Sequence, residues 1–312
     1  MAKNKLLFDT SNEYNACFDA AKVFDCYIYH ANCIDGLASV AIALHMQNHK
    51  SDSPWTTMAM VHGDPIDFEQ FKDKRVCFLD FSVPAEEMCK IISVAKRVTV
   101  IDHHVSNYDE LSRIASTRFE YVYDVDMSGA GLAWDYFIGT NLPYAIEMIQ
   151  DRDIWTKKHP DSDPYSLAIR VNQLKLVDMC DYINDIIALQ LTDPTSLDKT
   201  TIKLIKDGYV YTTYQNYMVR QIASFATKGV LNDGTVVMSV NCIPSLTSDV
   251  GSYLSENNTC GVALIYSDTA DKRMYSLRVA ADCDFDASAY AKSKGGGGHR
   301  RSAGFSIKLN KT

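Results

Sequence analysis

The chain has 312 residues, 46% of them hydrophobic and 22% charged, and its net charge is −8. At roughly 100–200 residues per domain, this length predicts two domains of a globular protein. Long nucleic acid is usually held by an extended basic groove, and no cluster of five or more Lys and Arg residues occurs. These totals count against a long duplex as partner and favour a short or small ligand.

Cysteine usage and hydropathy indicate the compartment. Nine cysteines, with no Cys-x-x-Cys pair among them, argue against a disulfide framework or a structural zinc site. The sequence contains no apolar run of about 18 residues, the length that would predict a membrane span. Only three apolar residues in a row precede Asp9, which does not fit a signal peptide. We therefore expect a reducing, cytoplasmic setting and no membrane partner.

Strands and helices alternate through the first half of the chain. Segments rich in β-branched and aromatic residues predict strands at 24–30, 55–61, 75–80, 98–101 and 119–123. Helices are predicted between and after them at 37–44, 82–95, 128–134 and 143–151, with Asp35 and Ser82 near two N-caps. This alternation predicts a doubly wound α/β fold with a mainly parallel sheet.

The second half begins with helical spacing and then returns to strands. Residues 166–227 have the periodicity of helices, and strands are predicted at 235–242, 260–266, 274–280 and 305–309, with a helix at 247–255. A glycine run, Gly295–Gly298, precedes the last strand and is followed by His299, Arg300 and Arg301. We predict a domain at 1–160, a helical connector at 161–228 and a smaller α/β domain at 229–312.

Metal-binding side chains stand where the predicted elements of the first domain end. They are His30, Asp35, Asp80, Asp102, His103, His104, Asp151 and Asp153. Ligands of open α/β sheets bind outside the carboxyl ends of the strands, so these groups are expected on one rim. Carboxylates and imidazoles suit Mn²⁺ or Mg²⁺, and so rich a set suits two ions roughly 3.5–4 Å apart that clamp a phosphate.

Two motifs resemble a known family. Asp102-His103-His104 resembles the signature of the DHH phosphoesterase superfamily, which includes single-strand exonucleases, short-oligoribonucleotide hydrolases, cyclic-dinucleotide phosphodiesterases and manganese pyrophosphatases. His30-Ala-Asn-Cys33-Ile-Asp35-Gly36 is similar to the first motif of the oligoribonuclease and cyclic-nucleotide phosphodiesterase branch. The glycine run, His299 and Ala303-Gly304 are similar to the family's associated substrate-binding domain. Together the resemblance covers roughly 24–155 and 235–309.

The resemblance implies the metal ligands. One ion would be held by His30 and Asp80, and the second by Asp35, Asp80, His103 and Asp151. Asp80 would bridge the two ions, which are expected to be Mn²⁺, with Mg²⁺ or Co²⁺ as alternatives.

The resemblance also implies the catalytic and substrate-binding residues. Asp102 would orient the imidazoles, and His104 would contact the substrate phosphate. The residues expected to bind the substrate from the second domain are Arg278, Gly296, Gly297, Gly298 and His299.

Several points stay open at the level of sequence. Most branches carry an earlier acid in the first motif, and Cys33 stands about where that acid would fall, as a ligand, a bystander or the mark of a weaker first site. Asp153 is an alternative to Asp151. The glycine run alone would also fit a flexible hairpin before a strand, and Trp134 and Trp155 are interpreted as packing residues, with base stacking as an alternative for Trp155.

The prediction is a two-domain, metal-dependent phosphodiesterase acting on short oligonucleotides or cyclic (di)nucleotides. An exonuclease on longer single strands is one alternative, and a protein that binds a nucleotide signal with little turnover is another. Whether the chain forms a homodimer is left open.

Overall fold

A computed structural model describes residues 22–50, 54–193 and 195–309 of the chain, with the side chains of 48–50 excepted. The expectation about a signal peptide concerns residues outside this part. The chain divides into two compact units, Met1–Tyr209 and Val210–Thr312. The helices predicted as a separate connector lie mainly in the first unit, where they pack on its other helices. No helix in the described ranges is both long and apolar enough to cross a membrane.

The first unit is built on a five-stranded parallel sheet. Its strands are β1 (Cys26–His30), β2 (Thr56–Met60), β3 (Arg75–Leu79), β4 (Arg97–Asp102) and β5 (Phe119–Tyr123). They lie in the order β2-β1-β3-β4-β5, and every neighbouring pair is parallel. All five predicted strands and the parallel sheet are confirmed.

Helices pack on both faces of this sheet, and further helices pack on them. They are α1 (Ile34–Lys50), α2 (Ala85–Val94), α3 (Tyr108–Leu111), α4 (Gly129–Phe137), α5 (Tyr144–Asp153), α6 (Ser162–Asn172), α7 (Leu176–Thr192) and α8 (Lys199–Ala223). In β3, Val76 and Phe78 pack with Met88 of α2, whereas Cys77 and Leu79 are buried on the opposite face. Burial on both faces explains why β3 is apolar from Val76 to Leu79. The α/β fold class is confirmed.

The predicted N-cap of α2 is wrong in detail. The helix begins after Pro84, not after Ser82. The Ser82 hydroxyl is buried and accepts a hydrogen bond from Asn107 Nδ2 at 3.1 Å. Ser82 therefore makes a loop contact and does not cap the helix.

The strand order creates a switch point between β1 and β3. The chain moves outward from β1 to β2 and then returns to the other side of β1 to form β3. At such a point, the connections leave the sheet in opposite directions, and ligands bind in the crevice that forms. His30 ends β1 and Asp80 directly follows β3.

The second unit contains a six-stranded mixed sheet. Its strands are β6 (Thr227–Val230), β7 (Val236–Asn241), β8 (Val262–Asp268), β9 (Lys272–Val279), β10 (Gly297–His299) and β11 (Ser302–Lys308), in the order β10-β11-β9-β8-β7-β6. Two helices, α9 (Thr247–Glu256) and α10 (Ala287–Ser293), accompany it. The four predicted strands and α9 are present. The short elements β6, β10 and α10 were not predicted, because glycine and small polar residues mask their patterns.

Candidate metal centre

Asp80 lies at the middle of the candidate site. Its side chain is 1% exposed, and its backbone has a φ of +53°. A left-handed backbone is uncommon for any residue but glycine, although aspartate tolerates it better than most. Such conformations persist where the surrounding structure enforces them, and they cluster at functional sites. The Asp80 amide donates to the Ile101 carbonyl at 2.9 Å, which holds this turn to β4.

Three imidazoles surround the Asp80 carboxylate. His103 Nε2 lies 3.2 Å from Oδ1, His30 Nδ1 lies 3.6 Å from Oδ2, and His104 Nδ1 lies 3.9 Å from Oδ1. Burial alone would raise the pKa of Asp80, but the contacts with His103 and His30 lower it to about 2. Asp80 is therefore ionised at neutral pH and can serve as a shared ligand.

Two more carboxylates approach the same imidazole. His103 Nε2 lies 3.3 Å from Asp153 Oδ2 and 3.9 Å from Asp35 Oδ2. Desolvation, followed by repulsion from Asp80, raises the pKa of both Asp35 and Asp153. Three acids that each disfavour the charge of the others form a site that a divalent cation would stabilise.

The site contains buried polar atoms with unmet hydrogen-bonding capacity. Among the described residues, no hydrogen-bond partner exists for His30 Nδ1, His103 Nε2, both Asp80 oxygens or Asp102 Oδ2. Buried polar groups are nearly always paired, so a cluster of unpaired ones needs an explanation. Metal ligation would explain it, since potential ligand atoms within 4.8 Å of one another form three groups: His30, Cys33 and Asp80; Asp80, His103 and His104; and Asp35, His103 and Asp153.

Asp102 orients the two histidines that follow it. Its Oδ1 accepts hydrogen bonds from the His103 amide at 2.8 Å, the His104 amide at 3.2 Å and His104 Nδ1 at 2.7 Å. The bond to Asp102 raises the pKa of His104 to about 9. His104 is therefore cationic at neutral pH, and with its side chain 34% exposed it can reach a ligand.

The first turn of α1 and the start of α4 meet at Asp35. Its two oxygens accept hydrogen bonds from the amides of Gly129 at 2.6 Å and Ala130 at 2.9 Å, so it pairs with the N-terminus of another helix. A Cβ at Gly129 would lie 2.5 Å from the Asp80 Cβ. The predicted helix start at Ser128 is confirmed, but the sequence did not reveal that Gly129 is part of the site.

Asp151 does not join the cluster. It is buried in a different set of contacts, accepting from Ser162 Oγ at 2.5 Å, Thr156 Oγ1 at 2.5 Å and the amides of Lys158 at 2.6 Å and His159 at 3.3 Å. Burial would raise its pKa, but these hydrogen bonds lower it. Residues two apart on a helix face different directions, and it is Asp153 that faces His103. The structure thus replaces Asp151 with Asp153 as the candidate ligand.

The predicted binding residues of the second unit lie across three neighbouring strands. Arg278 of β9 pairs with Ser302 of β11, and Ser302 pairs with His299 of β10. Residues directly opposite in antiparallel strands project to the same face, so Arg278 and His299 share one. Arg278 also donates to Ser248 Oγ at 2.8 Å. Substrate binding by this face stays a prediction.

The glycine run leads into strand β10, which contains Gly297 and Gly298, and it packs closely on β11. A Cβ at Gly296 would lie 2.1 Å from the Gly304 carbonyl oxygen, and one at Gly298 would lie 2.6 Å from the Ser302 carbonyl oxygen. A Cβ at Gly297 would meet no atom within 4 Å. Close packing on β11 thus explains the glycines at positions 296 and 298 whether or not a ligand binds.

A cavity beside the cluster carries aromatic and cationic groups. It has a volume of about 380 Å³, and its lining includes Cys33, Asp35, Arg152, Asp153 and Trp155. Trp155 is 62% exposed, unlike the buried Trp134, so packing does not account for it. The Arg152 guanidinium and Lys157 Nζ lie 4.2 and 3.9 Å from the centre of a Trp155 ring. Nucleotide chemistry suits such a lining, with a flat ring for a base and cations for phosphate.

Comparisons with known proteins identify similar chains. No protein-family model matches the chain. A sequence relative, the uncharacterized protein R106 of Acanthamoeba polyphaga mimivirus, is 27% identical over 310 residues, which cover 94% of this chain and 69% of that protein.

Three solved structures have a similar arrangement. An exopolyphosphatase-related protein of Bacteroides fragilis is 15% identical, with 94% of this chain and 89% of that one covered and a TM-score of 0.46. The DHH domain of a member of a ribosomal protein family is 14% identical, with 92% and 83% covered and a TM-score of 0.49. The pGpG-specific phosphodiesterase PggH of Vibrio cholerae is 11% identical, with 91% and 92% covered and a TM-score of 0.46. Likenesses this low carry no substrate or ion over to this chain.

Proposed function

We propose that the chain is a metal-dependent phosphoesterase of the DHH type, with its catalytic centre in the first unit. The observation that carries this proposal is the group of buried, unpaired donor atoms on Asp80, His30 and His103 at the β1–β3 switch point. Structural polar clusters satisfy their own hydrogen bonds, whereas this one keeps ligand atoms directed at a common space.

The donor set divides between two ions that share Asp80. His30 and Asp80 would hold one, and Asp35, Asp80, His103 and Asp153 would hold the other. Divalent ions at these positions supply charge neutralisation at a phosphate and lower the pKa of a water molecule. A carboxylate and imidazole set of this kind suits Mn²⁺, with Mg²⁺ and Co²⁺ as alternatives.

His104 and Asp102 contribute a fixed positive charge. The Asp102 carboxylate holds His104 Nδ1 at 2.7 Å and keeps the imidazole protonated, with a pKa of about 9. A cationic donor that is already oriented can bind a phosphate oxygen without reorganising as the transition state forms. We therefore assign His104 as the residue that contacts the substrate phosphate.

The proposed substrates are short oligonucleotides or cyclic (di)nucleotides. The cavity beside the cluster presents Trp155 and Arg152, which suit a base and a phosphate. Arg278 and His299 of the second unit would grip one end of the substrate. Because the chain carries a charge of −8 and no extended basic track, only two or three phosphate contacts are expected.

The test is a hydrolysis panel in Mn²⁺ that runs from dinucleotides to twenty-residue strands and includes cyclic dinucleotides and pyrophosphate. We expect kcat/KM to fall as strands lengthen beyond about five residues and to decline gently with salt. Equal or better cleavage of the longest strands, with a steep salt dependence, would instead identify an exonuclease on long single strands.

Variants of Arg278 of β9 and His299 of β10 test the role of the second unit. Arg278→Ala and His299→Ala should raise KM for short substrates about tenfold with little change in kcat, because these residues bind and do not act on the water. Arg273→Ala is the matched control, since Arg273 lies on the same strand as Arg278 and pairs with Asp268 at 2.5 Å. If all three variants changed KM equally, substrate binding by this face would be contradicted.

A further inference from the structure

The cluster contains one sulfur atom among its oxygen and nitrogen donors. Cys33 lies in the turn between β1 and α1, and its carbonyl accepts from the Leu37 amide at 3.1 Å, which fixes the turn. Its Sγ belongs to a group of potential ligand atoms with His30 and Asp80, all within 4.8 Å of one another. Every described cysteine is free, so Cys33 has no disulfide that would account for its position.

The other donors of this group are in position without hydrogen bonds of their own. Asp80 is 1% exposed, and neither of its oxygens has a hydrogen-bond partner among the described residues. His30 Nδ1, 3.6 Å from Asp80 Oδ2, is likewise buried and unpaired. A thiol beside two unsatisfied buried donors has the surroundings of a ligand, because all three would be satisfied by a single cation.

The two groups that share Asp80 differ in chemical softness. His30, Cys33 and Asp80 offer nitrogen, sulfur and oxygen, whereas the group of Asp80, His103 and His104 offers oxygen and nitrogen only, as does the adjoining group of Asp35, His103 and Asp153. Thiolates favour ions such as Zn²⁺, whereas carboxylates suit Mn²⁺ and Mg²⁺. Donor groups that prefer different ions therefore lie within a few ångströms of each other.

We propose that Cys33 is a metal ligand and that the centre takes two different ions, a soft one such as Zn²⁺ on His30, Cys33 and Asp80 and a hard one on the carboxylate side. The proposal rests on the proposed function only in placing both ions at Asp80. On binding, the Cys33 thiol loses its proton to solvent and the thiolate donates to the ion. The mixed donor set thus predicts a centre that binds one ion of each kind.

Cobalt spectroscopy tests the ligand directly. Co²⁺ bound to a thiolate gives a near-ultraviolet charge-transfer band, so we expect this band when the full chain is titrated with Co²⁺. Cys33→Ser should abolish the band while Co²⁺ still binds the carboxylate side. Cys89→Ser is the matched control, because Cys89 is exposed on α2 and should leave the band unchanged.

A second variant keeps the test decisive if the serine variant folds poorly. Cys33→Asp retains a ligand without sulfur, so it should also lose the band, and its preference for Zn²⁺ over Mn²⁺ in competition binding should fall at least about tenfold. A wild-type protein that binds Co²⁺ without the band, or a band that survives in both Cys33 variants, would overturn the proposal.

Hydrolysis in Mn²⁺ is measured separately on the same samples. Hydrolysis by a wild-type protein that lacks the band would leave the proposed function standing and remove only the Cys33 ligand. A band with the expected dependence on Cys33, in a protein that hydrolyses no phosphoester, would keep the metal site and remove the function.

Discussion

Asp80 and Asp151 are both buried carboxylates with lowered pKa values, but their surroundings differ in kind. Asp151 accepts hydrogen bonds from four groups that belong to the loop after α5 and the start of α6. Among the described residues, Asp80 has imidazoles nearby and no hydrogen-bond partner. Burial and a low pKa therefore do not distinguish a structural carboxylate from a candidate metal ligand. The separation lies in whether the oxygens are already satisfied.

The comparison also explains how the two groups cooperate. Asp151 ties the loop of residues 156–162 to the end of α5, where Asp153 and Trp155 lie. Its network fixes the backbone from which Asp153 faces His103. The satisfied carboxylate thus holds a loop in place, and the unsatisfied one is left for a ligand.

Asp80→Asn is the strongest test of this difference between Asp80 and Asp151. We expect activity to fall at least about 100-fold, or roughly 2.7 kcal/mol in the barrier, because the ligand proposed to be common to both ions loses its charge. In EDTA the same change should lower the free energy of unfolding by less than Asp151→Ala does, because only the attraction of His103 and His30 is lost and no hydrogen-bond donor is left unsatisfied. Urea denaturation and steady-state kinetics provide the two readouts. Retention of a tenth of the activity would contradict the two-ion assignment.

Asp151→Ala should have the opposite balance of effects, with a larger loss of stability and a smaller loss of activity. Removal of an acceptor that satisfies four donors should lower the free energy of unfolding by about 3 kcal/mol, because the donors stay buried without partners. Protein that remains folded should lose less activity than Asp80→Asn does. A urea midpoint equal to that of the wild type would show that the network is not structural.

Ion binding provides a third comparison. Mn²⁺ at about 100 times its Kd should stabilise the wild-type protein by about 2.7 kcal/mol relative to EDTA. The same increment is expected for Asp163→Asn, a control outside the cluster that removes the exposed contacts to Arg152 and Lys157. It should be largely lost in Asp80→Asn. Thermal melts with and without Mn²⁺ measure it, and an increment that survives in Asp80→Asn would place the ion elsewhere.

The smallest expected effect concerns pH. Asp102 raises the pKa of His104 above its ordinary value of 6.5 to about 9. A group whose pKa is raised on folding stabilises the folded state fully below its unfolded pKa, and this contribution disappears as the pH rises through the folded value. In EDTA, the difference in unfolding free energy between the wild type and His104→Gln should shrink between about pH 6.5 and 9. A difference that is constant over this range would rule out the charged pair.

The sequence predicted the fold, and it indicated most of the residues that meet at the candidate site, for identifiable reasons. Buried parallel strands are continuously apolar, so β1, β3 and β4 were recognisable, and the residues at their ends followed directly. His30, Asp35, Asp80 and His103 are brought together as expected. The choice between Asp151 and Asp153 could not be made, because it depends on a loop whose hydroxyl and amide donors leave no periodic pattern. Gly129 was missed for a similar reason, since its role is a steric contact with a residue 49 positions earlier.

The left-handed backbone at Asp80 restricts what can replace it. Aspartate and asparagine enter this conformation more readily than other residues with a side chain, and glycine enters it freely. Glutamate keeps the carboxylate but has no such tolerance, and alanine adds backbone strain to the loss of charge. A substitution scan at this position should therefore retain folded protein with Asn and Gly but retain turnover with Asp alone. The turn after β3 and the proposed bridging role thus favour the same amino acid independently, and aspartate is the one residue expected to meet both requirements at position 80.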